Sequence, residues 1–91
     1  MILVDSAVWS WRDRLWCHLV SDANLDELHA FARSLGIPER GFQGDHYDIP
    51  DELRTQAIAL GARPVTSREV VEALYAAGLR QRINRRMRTR G

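Results

Sequence analysis

The sequence predicts a small mixed α/β fold, three to four short strands packed by three helices. Three observations carry that reading. Short apolar runs end in carboxylates or hydroxyls, segments with apolar residues at helical spacing follow them, and stretches rich in glycine and proline separate the two kinds of segment. The resulting order of strand, strand, helix, a short optional strand, helix, strand and helix favours a mixed sheet with helices over a helical bundle.

Each element has its own warrant. Ile2-Leu3-Val4 followed by Asp5 reads as a short buried strand ending in a carboxylate. Trp9 to Trp16 mixes three tryptophans with Arg12, Asp13 and Arg14, which suggests an irregular segment or a turn of helix over the core. Trp16-Cys17-His18-Leu19-Val20 is expected to form a second strand with Ser21-Asp22 at its end. Asn24, with Glu27 three residues on, has the spacing of a helix start. Leu25, Leu28, Ala32 and Leu35 give that helix its inner face, and Gly36 a left-handed stop. Gly36 to Asp45 has the turn chemistry of a loop, and His46-Tyr47-Asp48-Ile49 reads as a short strand or an extended lead into the next helix. Asp48 as cap, Pro50 in the first turn and Asp51-Glu52 beyond it mark a second helix, lined by Leu53, Ala57 and Leu60 and ended by Gly61. Arg63-Pro64-Val65 is a brief strand whose proline puts it at an edge or a start. Ser67 is expected to cap a third helix with Val70, Val71, Leu74 and Tyr75 on its face, fading at Gly78.

Composition bounds the function. The 91 residues make one domain, expected to span residues 1–79, with an arginine-rich tail at 80–91. Such a chain buries roughly 60–65% of its unfolded surface, an adequate core without excess. The single cysteine, Cys17, excludes an internal disulfide framework, and no apolar run approaches the roughly 20 residues of a membrane span. Met1–Val8 is also too short for a signal-peptide core, so a cytoplasmic location is expected. The first 76 residues hold seven arginines and all twelve acids, while the last 15 hold six arginines and no acid. The body is therefore acidic and the tail strongly basic.

The residues that bear chemistry are three histidines and their neighbouring acids. His18 and Asp22 flank the end of the second strand, and His46 and Asp48, two apart, point to one side of an extended segment. His29 lies one helical turn after Leu25, at the edge of the buried face. In a partly parallel sheet, polar groups gather at the carboxyl ends of strands, where Asp5, Ser21, Asp22, Asp48, Ser67 and Arg68 would fall. Neutral imidazoles with a carboxylate suit zinc, manganese or iron, so His18, His46 and Asp48 are candidate ligands for a divalent metal. His18, Asp22, His46 and Asp48 are the catalytic candidates, and Ser21, His29, Tyr47 and Arg68 the ligand-binding ones. Arg68 at a helix start would suit a phosphate. The structural explanation stands beside each: Asp48 and Ser67 suit helix caps, Asp22 can help to cap the first helix, and His29 suits a half-buried core position. HExxH, CxxC, GxxxxGK[ST] and GxSxG are all absent.

The tail offers Arg80, Arg82, Arg85, Arg86, Arg88 and Arg90 for phosphate contacts with nucleic acid. A solvated terminus, or docking on the acidic body, explains the same arginines.

Four stretches in order resemble the small bacterial and phage family catalogued as domain of unknown function 4031. They are Trp16-x-His18-Leu19-Val20-Ser21-Asp22, Glu27-Leu28-His29-Ala30-Phe31-Ala32, His46-Tyr47-Asp48 with a proline nearby, and Gly61-Ala62 before a strand. The resemblance runs from about Ile2 to Arg80 and leaves out the tail. It implies that His18, Ser21, Asp22, His29, His46, Tyr47 and Asp48 are motif positions and makes a phage or mobile-element setting plausible, but it carries over no catalytic role. The residues thus support binding, with or without hydrolysis, of a phosphate-containing small molecule or nucleotide at a His/Asp site. A non-catalytic protein-interaction module and nucleic-acid binding through the tail are the alternatives.

Overall fold

The computed structural model of the chain describes residues 1–6, 9–11 and 13–80, and of Trp9 and Trp11 the backbone only. Its elements are β1 (Ile2–Val4), β2 (Trp9–Trp11), β3 (Arg14–Ser21), α1 (Leu25–Ser34), β4 (Tyr47–Pro50), α2 (Asp51–Ala59), β5 (Arg63–Pro64) and α3 (Ser67–Ala76). The class is the expected mixed sheet with three helices, and the sheet holds five strands. The additional strand is β2, in the segment expected to be irregular or helical. It pairs antiparallel with β3 through Trp9↔Trp16 and Trp11↔Arg14. The intervening turn holds Asp13 at φ 60, a left-handed conformation that aspartate tolerates better than most residues.

β3 is the axis of the sheet. Leu19 pairs with Val4 on one side and Tyr47 on the other, so β1 and β4 flank β3 on opposite edges, both antiparallel to it. β5 continues the sheet beyond β1, the one parallel pair among the described residues. Alternation along the strands then divides the core in two. Ile2, Val4, Cys17, Leu19, Tyr47 and Ile49 face α1 and α2, where they meet Leu28, Ala32 and Ala57. Leu3 and Val20 face the other way and meet Val70 and Leu74 of α3.

The helix starts follow capping chemistry. Asn24 caps α1, its side chain accepting from the Glu27 N–H at 2.8 Å, and Gly36 after its end has φ 78, as read from the sequence. Two expected caps are corrected. Asp48 is a strand residue of β4, and Pro50, with fixed φ −68, stands at the start of α2. Thr66, not Ser67, caps α3 in a reciprocal capping box with Glu69. Among the described residues no helix is long and apolar enough to cross a membrane.

Candidate functional site

The sheet register, rather than the carboxyl ends of parallel strands, assembles the site. Val4 pairs with Leu19, and the next hydrogen bond, from Asp5 N–H to the His18 carbonyl, sets Asp5 beside His18. His18 in turn pairs with Asp48 across β4. One row therefore runs Asp5, His18, Asp48 over three strands, on the face that α3 covers elsewhere. His46 joins from two residues before Asp48, which returns it to the same face. The His18 and His46 rings meet edge to face with centroids 5.2 Å apart. One ligand atom from each of His18, His46 and Asp48 falls within 4.8 Å of the other two.

Each imidazole is held from behind by its own carboxylate. Asp5, fully buried, lies 2.7 Å from His18 Nδ1 through Oδ2 and accepts from the His18 backbone N–H through Oδ1 at 2.6 Å. Ser67, at the start of α3, donates to the same Oδ2 at 2.9 Å. Burial works against the charge of Asp5, but the bonds from His18 and Ser67 outweigh it and hold the carboxyl below its ordinary range. The partner effect raises His18, through its bond to Asp5 and against its own burial. Arg54 braces the dyad from α2, its Nε donating to the Asp5 carbonyl at 2.8 Å.

His46 repeats the arrangement. Its Nδ1 lies 2.7 Å from Asp45 Oδ1, and Arg80 grips Asp45 with Nε on Oδ2 at 2.6 Å and Nη2 on Oδ1 at 2.9 Å. Burial opposes the charge of Asp45, and Arg80 and His46 together hold its carboxyl low. An ionised carboxylate only accepts, so Nδ1 carries the proton in both histidines and Nε2 is the basic nitrogen. His46 Nε2 lies 3.1 Å from Asp48 Oδ1, yet this oxygen is buried and makes no hydrogen bond.

The other candidates lie elsewhere. Ser21 is buried on the α1 side, where its hydroxyl donates to Glu27 and accepts from the Ala23 and Asn24 N–H groups, a cap for the chain entering α1. Asp22 is four residues from His18, about 13 Å along an extended strand, and pairs with the Met1 amine at 2.9 Å. His29 shares a 2.7 Å hydrogen bond with Tyr47 Oη and packs edge to face on Phe42. Tyr47 is buried among the core residues of the α1 face, and burial raises its phenol. Arg68 is exposed and faces Glu72 at 3.6 Å. Of the tail arginines, Arg80 is committed to Asp45, and Arg82, Arg85, Arg86, Arg88 and Arg90 lie outside the described residues.

Asp45 and the role of Arg80 are what the sequence reading did not find. Asp45 follows Gly44 and has the appearance of a turn residue, and its partner is 35 positions away.

A family model described as "Protein of unknown function (DUF4031)" matches residues 2–77, a stretch that contains His18, His46, Asp48 and the supporting Asp5 and Asp45. Neither the curated proteins nor the solved structures compared with the chain give a match.

Proposed function

The chain belongs to the family of unknown function 4031, and from that premise we propose that it holds a divalent cation at His18, His46 and Asp48 and through it binds a phosphate-containing small molecule or nucleotide. One observation carries the reading. With the His46 ring neutral and its proton on Nδ1, His46 Nε2 and Asp48 Oδ1 are two acceptors 3.1 Å apart, and the carboxylate oxygen is buried without a hydrogen bond. Two lone pairs so placed repel, and a buried acceptor left unmet costs about 1–3 kcal/mol. A cation held by His46 and Asp48 would relieve that cost.

The donor set fits this role. Two imidazoles and one carboxylate suit zinc, manganese or iron(II), and three protein ligands leave positions for water and substrate. Carboxylates on the far nitrogen of each ring fix the tautomer and raise the basicity of the ligating nitrogen. An ion held there would supply an acidified water and polarise a phosphoryl oxygen, so phosphate-ester hydrolysis is the reaction such a centre would favour. The protein's own part is orientation: Asp5 and Ser67 hold His18, while Asp45 and Arg80 hold His46.

The test is titration of a nucleoside monophosphate into the manganese-loaded protein. Binding should require the cation and disappear in His46→Ala, whose far-UV circular dichroism should match the wild type. A His46→Ala variant that melts lower but still binds the nucleotide makes the histidine structural and overturns the reading.

A further inference from the structure

We propose that Arg80 is a positioning residue of this centre: by gripping both oxygens of Asp45 it aims that carboxylate at His46 Nδ1, so that His46 presents Nε2 to its ligand. The metal-affinity part of this proposal rests on the cation reading above; the part concerning the imidazole does not.

The chain reaches this contact by a defined route. Gly78, at φ 75, ends α3 in the left-handed conformation, and the N–H groups of Leu79 and Arg80 both return to the Leu74 carbonyl at 3.0 and 3.1 Å. Leu79 packs on the cluster of Leu3, Val20, Val70 and Leu74. The backbone of residue 80 is thereby anchored to α3, and its side chain crosses to the loop before β4. There the guanidinium meets Asp45 as a fork on a fork, the strongest and most directional form of charged pair. Asp45 has 13% of its side chain exposed. Gly44, at φ 95, leads into it through a turn closed by the Gln43 N–H on the His46 carbonyl at 2.7 Å, and the carboxylate's direction is set by its side-chain partners. Asp45 Oδ1 is shared between Arg80 Nη2 and His46 Nδ1, and a rotation that broke one contact would disturb the other. Asp5 needs no such clamp, because the His18 backbone N–H and Ser67 already fix it. The arginine-rich stretch thus begins with a residue already engaged in the site, not with another cation facing solvent.

The experiment reads the imidazole tautomer of His46 by nitrogen-15 NMR of the metal-free full chain, at a pH where the rings are neutral. Wild type should show the proton on Nδ1 alone. Arg80→Ala and Arg80→Gln should show a mixture of both tautomers at His46, with His18 unchanged. Arg80→Lys, which restores a charge but not the fork, should fall between them. Cobalt(II) titration of the same proteins should give about tenfold weaker binding for Arg80→Ala, the lower end of the 10–100-fold range for outer partners of metal ligands. If Arg80→Ala keeps the pure Nδ1–H tautomer, the proposal is overturned, and Arg80 serves only to pin the end of α3. A wild-type protein that binds no cation overturns the metal reading instead, and the tautomer spectra then decide the role of Arg80 by themselves.

Discussion

Replacing Asp5 by asparagine separates the support of the site from the support of the fold. Asp5 is fully buried and receives three hydrogen bonds, from the His18 ring at 2.7 Å, the His18 backbone at 2.6 Å and Ser67 at 2.9 Å. Alanine would strip the acceptor from all of them. Breaking such a buried pair costs about 3–5 kcal/mol, a large share of the 5–15 kcal/mol typical of whole domains. That variant would report only on folding. Asparagine keeps the volume, and its one carbonyl oxygen must choose a partner. The backbone N–H of His18 cannot change its character, so the oxygen stays there and the amide NH2 turns to His18 Nδ1. Nδ1 must then accept, the proton moves to Nε2, and the ring can no longer offer that nitrogen to a cation. The expected loss of stability is about 1–3 kcal/mol, the worth of bonds to a charged acceptor. The expected loss of metal affinity is about 10–100-fold. Urea denaturation, followed through its midpoint at unchanged slope, measures the first, and cobalt(II) calorimetry the second. A variant that binds the ion within twofold of wild type would refute the argument that Asp5 fixes the ligating nitrogen.

Further predictions concern the framework. Leu74→Ala opens a hole where α3 packs on Leu3 and Val20, and should cost about 2–5 kcal/mol in urea denaturation; a cost below 1 kcal/mol would mean that α3 is not part of the cooperative core. Thr66→Ala removes the cap of α3 and should cost about 1 kcal/mol, whereas Ser67→Ala should act mainly on His18 through Asp5, which the imidazole NMR spectrum can separate from the denaturation midpoint. Cys17 is fully buried and its thiol pushed up to about 12, chiefly by burial, so iodoacetamide should label it only as the chain unfolds; labelling of the native protein at the rate of a free thiol would contradict the packing of β3.

How far the sequence could be read depended on the range of the interaction. α1 was legible throughout, because Asn24, the Leu28 and Ala32 spacing and Gly36 are local signals that all agree. The shared side of His46 and Asp48 was legible because strand alternation needs only two residues. Their meeting with His18 was not, since it depends on the pairing of His18 with Asp48 between strands far apart in sequence. The cap of α3 was misplaced by one residue although the signal was present: Glu69 stands three after Thr66, the capping-box spacing, and two after Ser67. Asp48 was drawn toward α2 by its general suitability as a cap, and it is the ladder with β3 that keeps it in a strand. In the segment from Trp9, the charges of Asp13 and Arg14 obscured a hairpin whose turn falls at Asp13. Asp45 and Arg80 carry no local signal of their joint role, because the fold alone brings a turn aspartate and a helix-terminal arginine together.

A divalent ion held by His18, His46 and Asp48 would stabilise the folded protein. Thermal unfolding with and without zinc(II) or manganese(II) tests it most directly. An ion at 100 times its dissociation constant stabilises the native state by about 2.7 kcal/mol. For a domain of this size that corresponds to a rise in melting temperature of roughly 10–20 °C. That rise is expected in the wild type, at one ion per chain by native mass spectrometry, and should be lost in His18→Ala, His46→Ala and Asp48→Asn. An unchanged melting temperature in the wild type, or a rise of the same size in all three variants, would contradict it.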